Sequence, residues 1–237
     1  MILDHLASRT GGAAENMAVD FLLLQRYPGA ANARFRHYGW REPSFTFGYS
    51  QKWDFVKTQL PEGHFDVCRR VTGGGIVDHR EDWTFSLVVP RGHPLEELRA
   101  VESYREVHVC LASALASLGA TVAVKESCEP DPSGAGCGPA GVCFTRAELY
   151  DVVDSRGAKV AGAAQKRSKK GLLFQGSIWR PAVGEPIDWD LLEGAFAGRL
   201  AGLLGCETLP APWPDWAEGE MDALTEQYQM AEWQAYR

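Results

Sequence analysis

Two hydrophobic rhythms divide the chain. Between Ala14 and Arg26 the apolar residues Met17, Val19, Phe21, Leu22, Leu23 and Leu24 are dense enough for a mostly buried helix, which stops before Pro28-Gly29. Arg34 to Tyr38 alternates with period two and reads as a strand. So does Ser44 to Tyr49, with Pro43 at its start and Gly48 near its end. The first twelve residues are a polar lead-in, and Val56 to Leu60 fits a short helix ending before Pro61. Asp66 to Val71 and Trp83 to Val89 are strands, the second being the longest clear one. Pro94 to Leu118 is helical with a break near Arg99 to Ser103. Its apolar face runs through Val107, Cys110, Leu111, Leu115 and Leu118, and Gly119 closes it. Thr121–Val124, Tyr150–Val153, Lys159–Ala161 and Leu172–Trp179 complete the strands, and helices fit Trp189 to Leu204 and Trp216 to the end. Runs of strands interrupted by helices imply an α+β fold, a mixed β-sheet flanked by helices. No repeat or domain boundary is visible, so residues 1–237 read as a single domain with 181–237 a helical C-terminal extension.

Between two of these strands lies Arg69-Arg70-Val71-Thr72-Gly73-Gly74-Gly75-Ile76-Val77-Asp78-His79. Three glycines suit neither helix nor strand and predict strand, loop, strand. Such a loop can aim backbone N–H groups at an anion or a carbonyl, although an ordinary glycine-rich hairpin has the same sequence. A phosphate-binding P-loop is excluded, because no Lys-Ser/Thr follows the glycines. Glu129 to Ala140 is a second loop, rich in proline and glycine, whose length suits a mobile segment or a lid.

Composition narrows the function. At 45% hydrophobic residues the chain can bury a sizeable core, and a net charge of −7 argues against nucleic-acid binding. No secretory signal and no bilayer-length apolar run is seen, which predicts a cytoplasmic protein without a membrane partner. The six cysteines form no C-x-x-C pair. Cys110 reads as a core residue. Cys128, Cys137 and Cys143 cluster, but their spacing fits no common zinc pattern and no histidine lies nearby, so no metal is expected.

A distributed set of motifs resembles the lipoate–protein ligase, octanoyltransferase and biotin–protein ligase superfamily. It comprises Glu15-Asn16-Met17-Ala18-Val19-Asp20, then Arg36 to Trp40, Pro43 and Gly48-Tyr49-Ser50-Gln51. Arg69 to Gly75 with His79 follows, then Thr84-Phe85-Ser86, Lys159 to Arg167 and Gln175-Gly176-Ser177-Ile178. Together they cover roughly residues 12 to 180 in the family's order. The resemblance implies attachment of an acyl cofactor to one lysine of a carrier domain. It also implies that the glycine loop and the lysine of K-x-x-G bracket the acyl carboxyl group. The substrate-binding candidates are then Arg70, Thr72, Gly73, Gly74, Gly75, His79, Gly162, Ala163 and Ala164. Ala163 departs from the family, where serine is commoner.

Two residues are the catalytic candidates. Lys159 would polarise an acyl carbonyl and stabilise the oxyanion formed on attack; the alternative is a solvated strand lysine. Cys143, in Gly141-Val142-Cys143-Phe144, looks like the Cys-Phe segment of the cysteine-dependent octanoyltransferases. There a thiol takes the acyl chain from acyl carrier protein as a thioester; the alternative is an unreactive loop cysteine. Thr145 to Leu149 departs from the Pro-Ser pattern of those enzymes. Of the two arginines, one is expected to meet a phosphate or carboxylate and the other to pair within the sheet. His79 is a proton carrier or a hydrogen-bonded loop residue. The basic run Lys166-Arg167-Ser168-Lys169-Lys170 reads as a charged hairpin tip that also suits an acidic carrier.

The resemblance leaves three functions. Octanoyl transfer would require no cofactor and would use acyl carrier protein as donor. Its acceptor would be a lipoyl-domain protein, such as a glycine cleavage H protein or a 2-oxoacid dehydrogenase E2. An ATP-dependent lipoate–protein ligase would need ATP and Mg, with any accessory domain on a separate chain. A non-catalytic chain would only bind lipoyl domains. Many ligases of this kind carry a further C-terminal domain, whereas the roughly sixty residues after the last motif suit two helices and little more. That segment and Cys143 both favour transfer.

Overall fold

The computed structural model describes residues 1–127, 146–184 and 186–236. In chain order it contains β1 (Leu3–Leu6), β2 (Arg9–Gly11), α1 (Ala13–Gln25), β3 (Ala33–Trp40), β4 (Ser44–Phe47), α2 (Trp53–Gln59), β5 (Asp66–Arg69), β6 (Ile76–Asp78) and β7 (Asp82–Pro90). There follow α3 (Pro94–Glu97), α4 (Ala100–Ser117), β8 (Val122–Val124), β9 (Val152–Asp154), β10 (Lys159–Ser168), β11 (Gly171–Trp179), α5 (Trp189–Leu204), β12 (Thr208–Ala211), α6 (Glu220–Gln229) and α7 (Ala231–Gln234).

Among the described residues the main sheet runs β12-β1-β3-β7-β11-β10-β9-β8, with β2 added alongside β3. Antiparallel pairs at its centre and parallel pairs at β1 make it the mixed sheet expected. The polar lead-in is corrected: residues 1–12 hold β1 and β2, because four residues and three are too few for alternation to show. β12 likewise interrupts the segment expected to be helical. Elsewhere the differences lie at the ends. β10 runs to Ser168 rather than Ala161, held by an unbroken ladder with β11 although Ala163 to Ser168 has no β-branched residue. Its tip is the basic run, and the helix break falls at Leu98-Arg99, between α3 and α4.

The two faces of β7 define the layers. Trp83, Phe85, Leu87 and Val89 pack with Leu111, Leu115, Phe196 and Leu200 of α4 and α5. The opposite face carries Val88 into a second cluster with Met17 and Leu24 of α1 and Tyr228 of α6. Thr84 and Ser86 lie on that second face and are buried too, although alternation alone would expose them. α1 and a small second sheet cover them, and that polar, covered face is where the site lies.

Candidate active site

The second sheet has the order β5-β4-β6, with β4 parallel to β5 and antiparallel to β6. The glycine loop therefore crosses the end of β4; it is not a hairpin. It is pinned there by Arg70 N–H to Phe47 O (2.8 Å) and Tyr49 N–H to Thr72 O (2.8 Å). Gly74 has φ +90°, and a Cβ on Gly48 would fall 2.0 Å from the Gly74 carbonyl oxygen. Both positions require glycine for a stated reason: a left-handed backbone and a backbone contact.

The two arginines part company. Arg69 donates to the carbonyls of Tyr49, Gln51, Trp233 and Gln234, tying the loop after β4 to the C-terminal turn. Arg70 turns inward, donating to Thr46 Oγ1 (2.7 Å) and to the carbonyls of Gly73 and Gly75 (2.9 and 3.0 Å). It holds the loop's shape from inside while lining a cavity.

That cavity is small, about 50 Å³, and lies between the glycine loop, α1 and the covered faces of β7, β10 and β11. Of the sequence candidates, Arg70, Gly74, His79, Lys159, Gly162, Ala163 and Ala164 line it. Thr72, Gly73 and Gly75 do not. Thr72 donates to Gln175 Oε1 behind the wall (2.7 Å), and the two glycines serve Arg70. Cys143, Cys128, Cys137 and the loop Glu129 to Ala140 lie outside the described residues.

Lys159 reaches the cavity because β10 breaks register. Lys159 pairs with Val153 and Ala161 with Val152, a bulge at Val160. Val160 and Ala161 consequently both enter the α4–α5 core, and Lys159 is left on the cavity side with Gly162. Its chain lies back over Gly162, where a Cβ would come 2.7 Å from Cε and Nζ. The K-x-x-G spacing thus has a steric cause. Lys159 Nζ is 2.8 Å from Asp151 Oδ2, with side-chain exposures of 9% and 0%.

Two further buried networks form the wall. Asp20 pairs with Arg36 (2.7 Å) and accepts from Ser86 (2.6 Å), Tyr38 (3.1 Å) and Gln175 (2.7 Å). Burial, then the charge of Asp20, pushes the Tyr38 phenol well above its ordinary pKa, so it stays a donor. His79 has one ring nitrogen 2.6 Å from Asp82 Oδ2 and the other 2.6 Å from Thr46 Oγ1, and its ring stacks on Trp40 at 3.9 Å. Thr84 and Ser177 also donate to Asp82 Oδ2. Both nitrogens of His79 are engaged by the protein, so the ring is held as part of the frame around the cavity.

Met17, Tyr38, Thr46, Val77, Thr84, Gln175, Gly176 and Ser177 also line the cavity and were not among the candidates. Asp20 and Asp151 were missed as well. Each had a signal: a carboxylate inside an apolar run, Met17 to Leu24 in one case and Leu149 to Val153 in the other.

The family model of the lipoyl protein ligase A/B catalytic domain matches residues 12–180. The chain belongs to that family. Among relatives, it is 27% identical to the octanoyltransferase LipM of Symbiobacterium thermophilum, over 90% of each chain. It is 34% identical to the octanoyltransferase LipM of Bacillus cereus over 76% of its own length, and 33% identical to that of Macrococcus caseolyticus over 69%. Against those last two it spans 63% and 60% of the relative's length. A Thermoplasma acidophilum protein solved with bound lipoic acid superposes with a TM-score of 0.73 at 18% identity, over the whole of both chains. A lipoate-protein ligase A solved with ATP gives 0.72 at 17%, over 99% of both. At such identities the likeness is one of fold. The lipoyl-ligase fold accounts for the mixed sheet flanked by helices.

Proposed function

We propose that this chain is an octanoyltransferase of protein lipoylation, acting in the cytoplasm as a single catalytic domain over residues 1–237. The observation that carries the reading is Lys159, placed by a bulge on the wall of the cavity beside the glycine loop. Met17, Val77, Ala163 and Ala164 on the same wall offer apolar contact to an alkyl chain. The names of the relatives, octanoyltransferase LipM, supply the acyl group.

In the proposed reaction the Cys143 thiolate attacks the carbonyl of octanoyl-acyl carrier protein. The carrier's sulfur leaves as a thiolate, and the octanoyl group rests on Cys143 as a thioester. The ε-amine of a lipoyl-domain lysine then attacks that thioester, forming the amide and returning the cysteine thiol. Lys159 donates a charged hydrogen bond to the oxyanion in both steps. The transfer consumes no ATP and needs no cofactor, because exchange between thioesters is close to isoenergetic and amide formation from a thioester runs downhill.

Intact-mass measurement after incubation with octanoyl-acyl carrier protein, without ATP, tests the reading. One octanoyl group is expected on the wild-type chain and none on Cys143→Ala. No adduct on the wild type, or an equal one on the variant, overturns the covalent route. Modification of a lipoyl domain only with free acid, ATP and magnesium would identify a ligase instead.

A further inference from the structure

The carboxylate behind Lys159 is not needed by the two steps as written, yet three donors converge on it. Asp151 is fully buried. Its Oδ1 accepts from the Tyr104 hydroxyl at 2.5 Å, and its Oδ2 takes the Glu148 N–H at 2.7 Å and the Lys159 ammonium at 2.8 Å. Tyr104 is fixed in turn, its hydroxyl oxygen accepting the Ala163 N–H at 3.1 Å from the cavity strand. Tyr150, the residue before Asp151, has φ +67°, the one such non-glycine among the described residues. The left-handed region is sterically disfavoured for a tyrosine, so the backbone is strained at the residue that leads into this carboxylate. Gly162 leaves the room: a Cβ there would stand 2.7 Å from Lys159 Nζ and 2.9 Å from Asp151 Oδ1.

The chemistry of the site supplies the reason. An enzyme that passes an acyl group to a lysine amine holds a lysine of its own beside that acyl group. As a neutral amine, Lys159 would attack the thioester itself. A C–N bond would form and the C–S bond would break, the sulfur would leave as a thiol with the amine's proton, and a dead-end amide would remain. We infer that Asp151, steadied by Tyr104, is the positioning residue that holds Lys159 as a hydrogen-bond-donating ammonium and withholds its nitrogen from acylation. An ammonium has three N–H donors and Asp151 takes one. Among the described residues, titratable groups about this cluster include His108, whose ring lies 4.0 Å from that of Tyr104, together with Glu148, Lys125 and Arg105. Burial pushes His108 down to about 4, so it is neutral at working pH and adds no competing charge.

The inference rests on the octanoyl-transfer reading but is tested by a measurement that does not need transfer. The probe is N-hydroxysuccinimidyl acetate, with acetylation of Lys159 measured against exposed Lys169 by peptide mass at neutral pH. Loss of the partner charge in Asp151→Asn is expected to raise the Lys159-to-Lys169 ratio about tenfold or more, with a smaller rise in Tyr104→Phe. Asp151→Glu, which keeps the charge, is expected to keep the ratio low. Incubated with octanoyl-coenzyme A, Asp151→Asn should gain a hydroxylamine-resistant octanoyl group on Lys159 that the wild type does not. In the transfer assay its kcat should fall with KM for the lipoyl domain unchanged. An unchanged labelling ratio in folded Asp151→Asn overturns the inference. If Asp151→Asn does not fold, an unchanged ratio in Tyr104→Phe overturns it equally. A raised ratio without octanoyl on Lys159 or any transfer would sustain the positioning role and reject the reaction assigned to the site.

Discussion

Gly48 and Gly74 meet backbone to backbone. A Cβ on the first would sit 2.0 Å from the carbonyl oxygen of the second and 2.7 Å from the carbonyl carbon of Gly73. No rotamer relieves a clash with backbone, so the two chains must separate. Gly48→Ala is expected to push the glycine loop off the end of β4 and to cost about 3 kcal/mol, the upper end of ordinary overpacking. A fall in thermal midpoint together with loss of transfer is the outcome to look for. An alanine variant with wild-type midpoint and rate would show that this contact does not hold the cavity wall.

The three loop glycines should differ among themselves. Gly73 has no atom within 4 Å of its would-be Cβ, whereas Gly74 combines φ +90° with an Arg70 nitrogen at 3.3 Å. Gly73→Ala is expected within about 0.5 kcal/mol of wild type. Gly74→Ala should lose about 1–2 kcal/mol to its backbone alone, and activity with it as Arg70 moves. Urea unfolding and the transfer assay on the two variants separate them. Equal behaviour would contradict the geometry.

This contrast shows what the residues announce and what they conceal. A run of three glycines announces a loop, but only the passage of β4 between β5 and β6 decides which glycine bears the strain, and that parallel pairing depends on the α2 crossover. Lys159 was legible through the spacing to Gly162. Its aim was not, since nothing in Val160-Ala161 marks a bulge. Thr84, Ser86, Gln175 and Ser177 alternate with apolar neighbours as half-exposed strands do; α1 and the second sheet bury them, a tertiary fact outside any strand's own pattern. Asp20 and Asp151 show the converse. A carboxylate in an apolar run is a readable anomaly, and reading it would have pointed to both ion pairs.

The first of those pairs should be a large single contributor to the wall. Arg36 is 1% exposed and hydrogen-bonds Asp20 and the carbonyl of Asn16. Asp20→Ala leaves a buried guanidinium without its counter-charge and removes the acceptor shared by Ser86, Tyr38 and Gln175. A loss of about 3–5 kcal/mol is expected. The double variant Asp20→Ala/Arg36→Met should be more stable than Asp20→Ala, because the uncompensated charge is gone. Denaturant midpoints of the three chains decide the matter. If the double variant is the less stable, desolvation of Arg36 is not the dominant cost.

His108 makes the protein acid-sensitive. It is fully buried, its Nδ1 lies 2.9 Å from the Tyr104 carbonyl, and its Nε2 has no hydrogen-bond partner among the described residues. Burial, opposed by the charge of Asp151 and the Tyr104 carbonyl, lowers it from 6.5 to about 4. The folded protein therefore takes up its proton only near pH 4, while the unfolded chain takes it up near pH 6.5. Between those values the unfolded state binds more protons, so stability is complete above pH 6.5 and falls as pH drops toward 4. From pH 7 to pH 5 this one residue should remove about 2 kcal/mol. His37 is lowered in the same direction, chiefly by burial, so the wild-type slope alone does not isolate His108. His108→Phe does. It gives up the bond to Tyr104 at a cost of about 1 kcal/mol at pH 7, and should then lose about 2 kcal/mol less than wild type on going to pH 5. Urea midpoints of the two chains at pH 7 and pH 5 give that difference directly; equal losses would mean that His108 is protonated in the folded protein at pH 5.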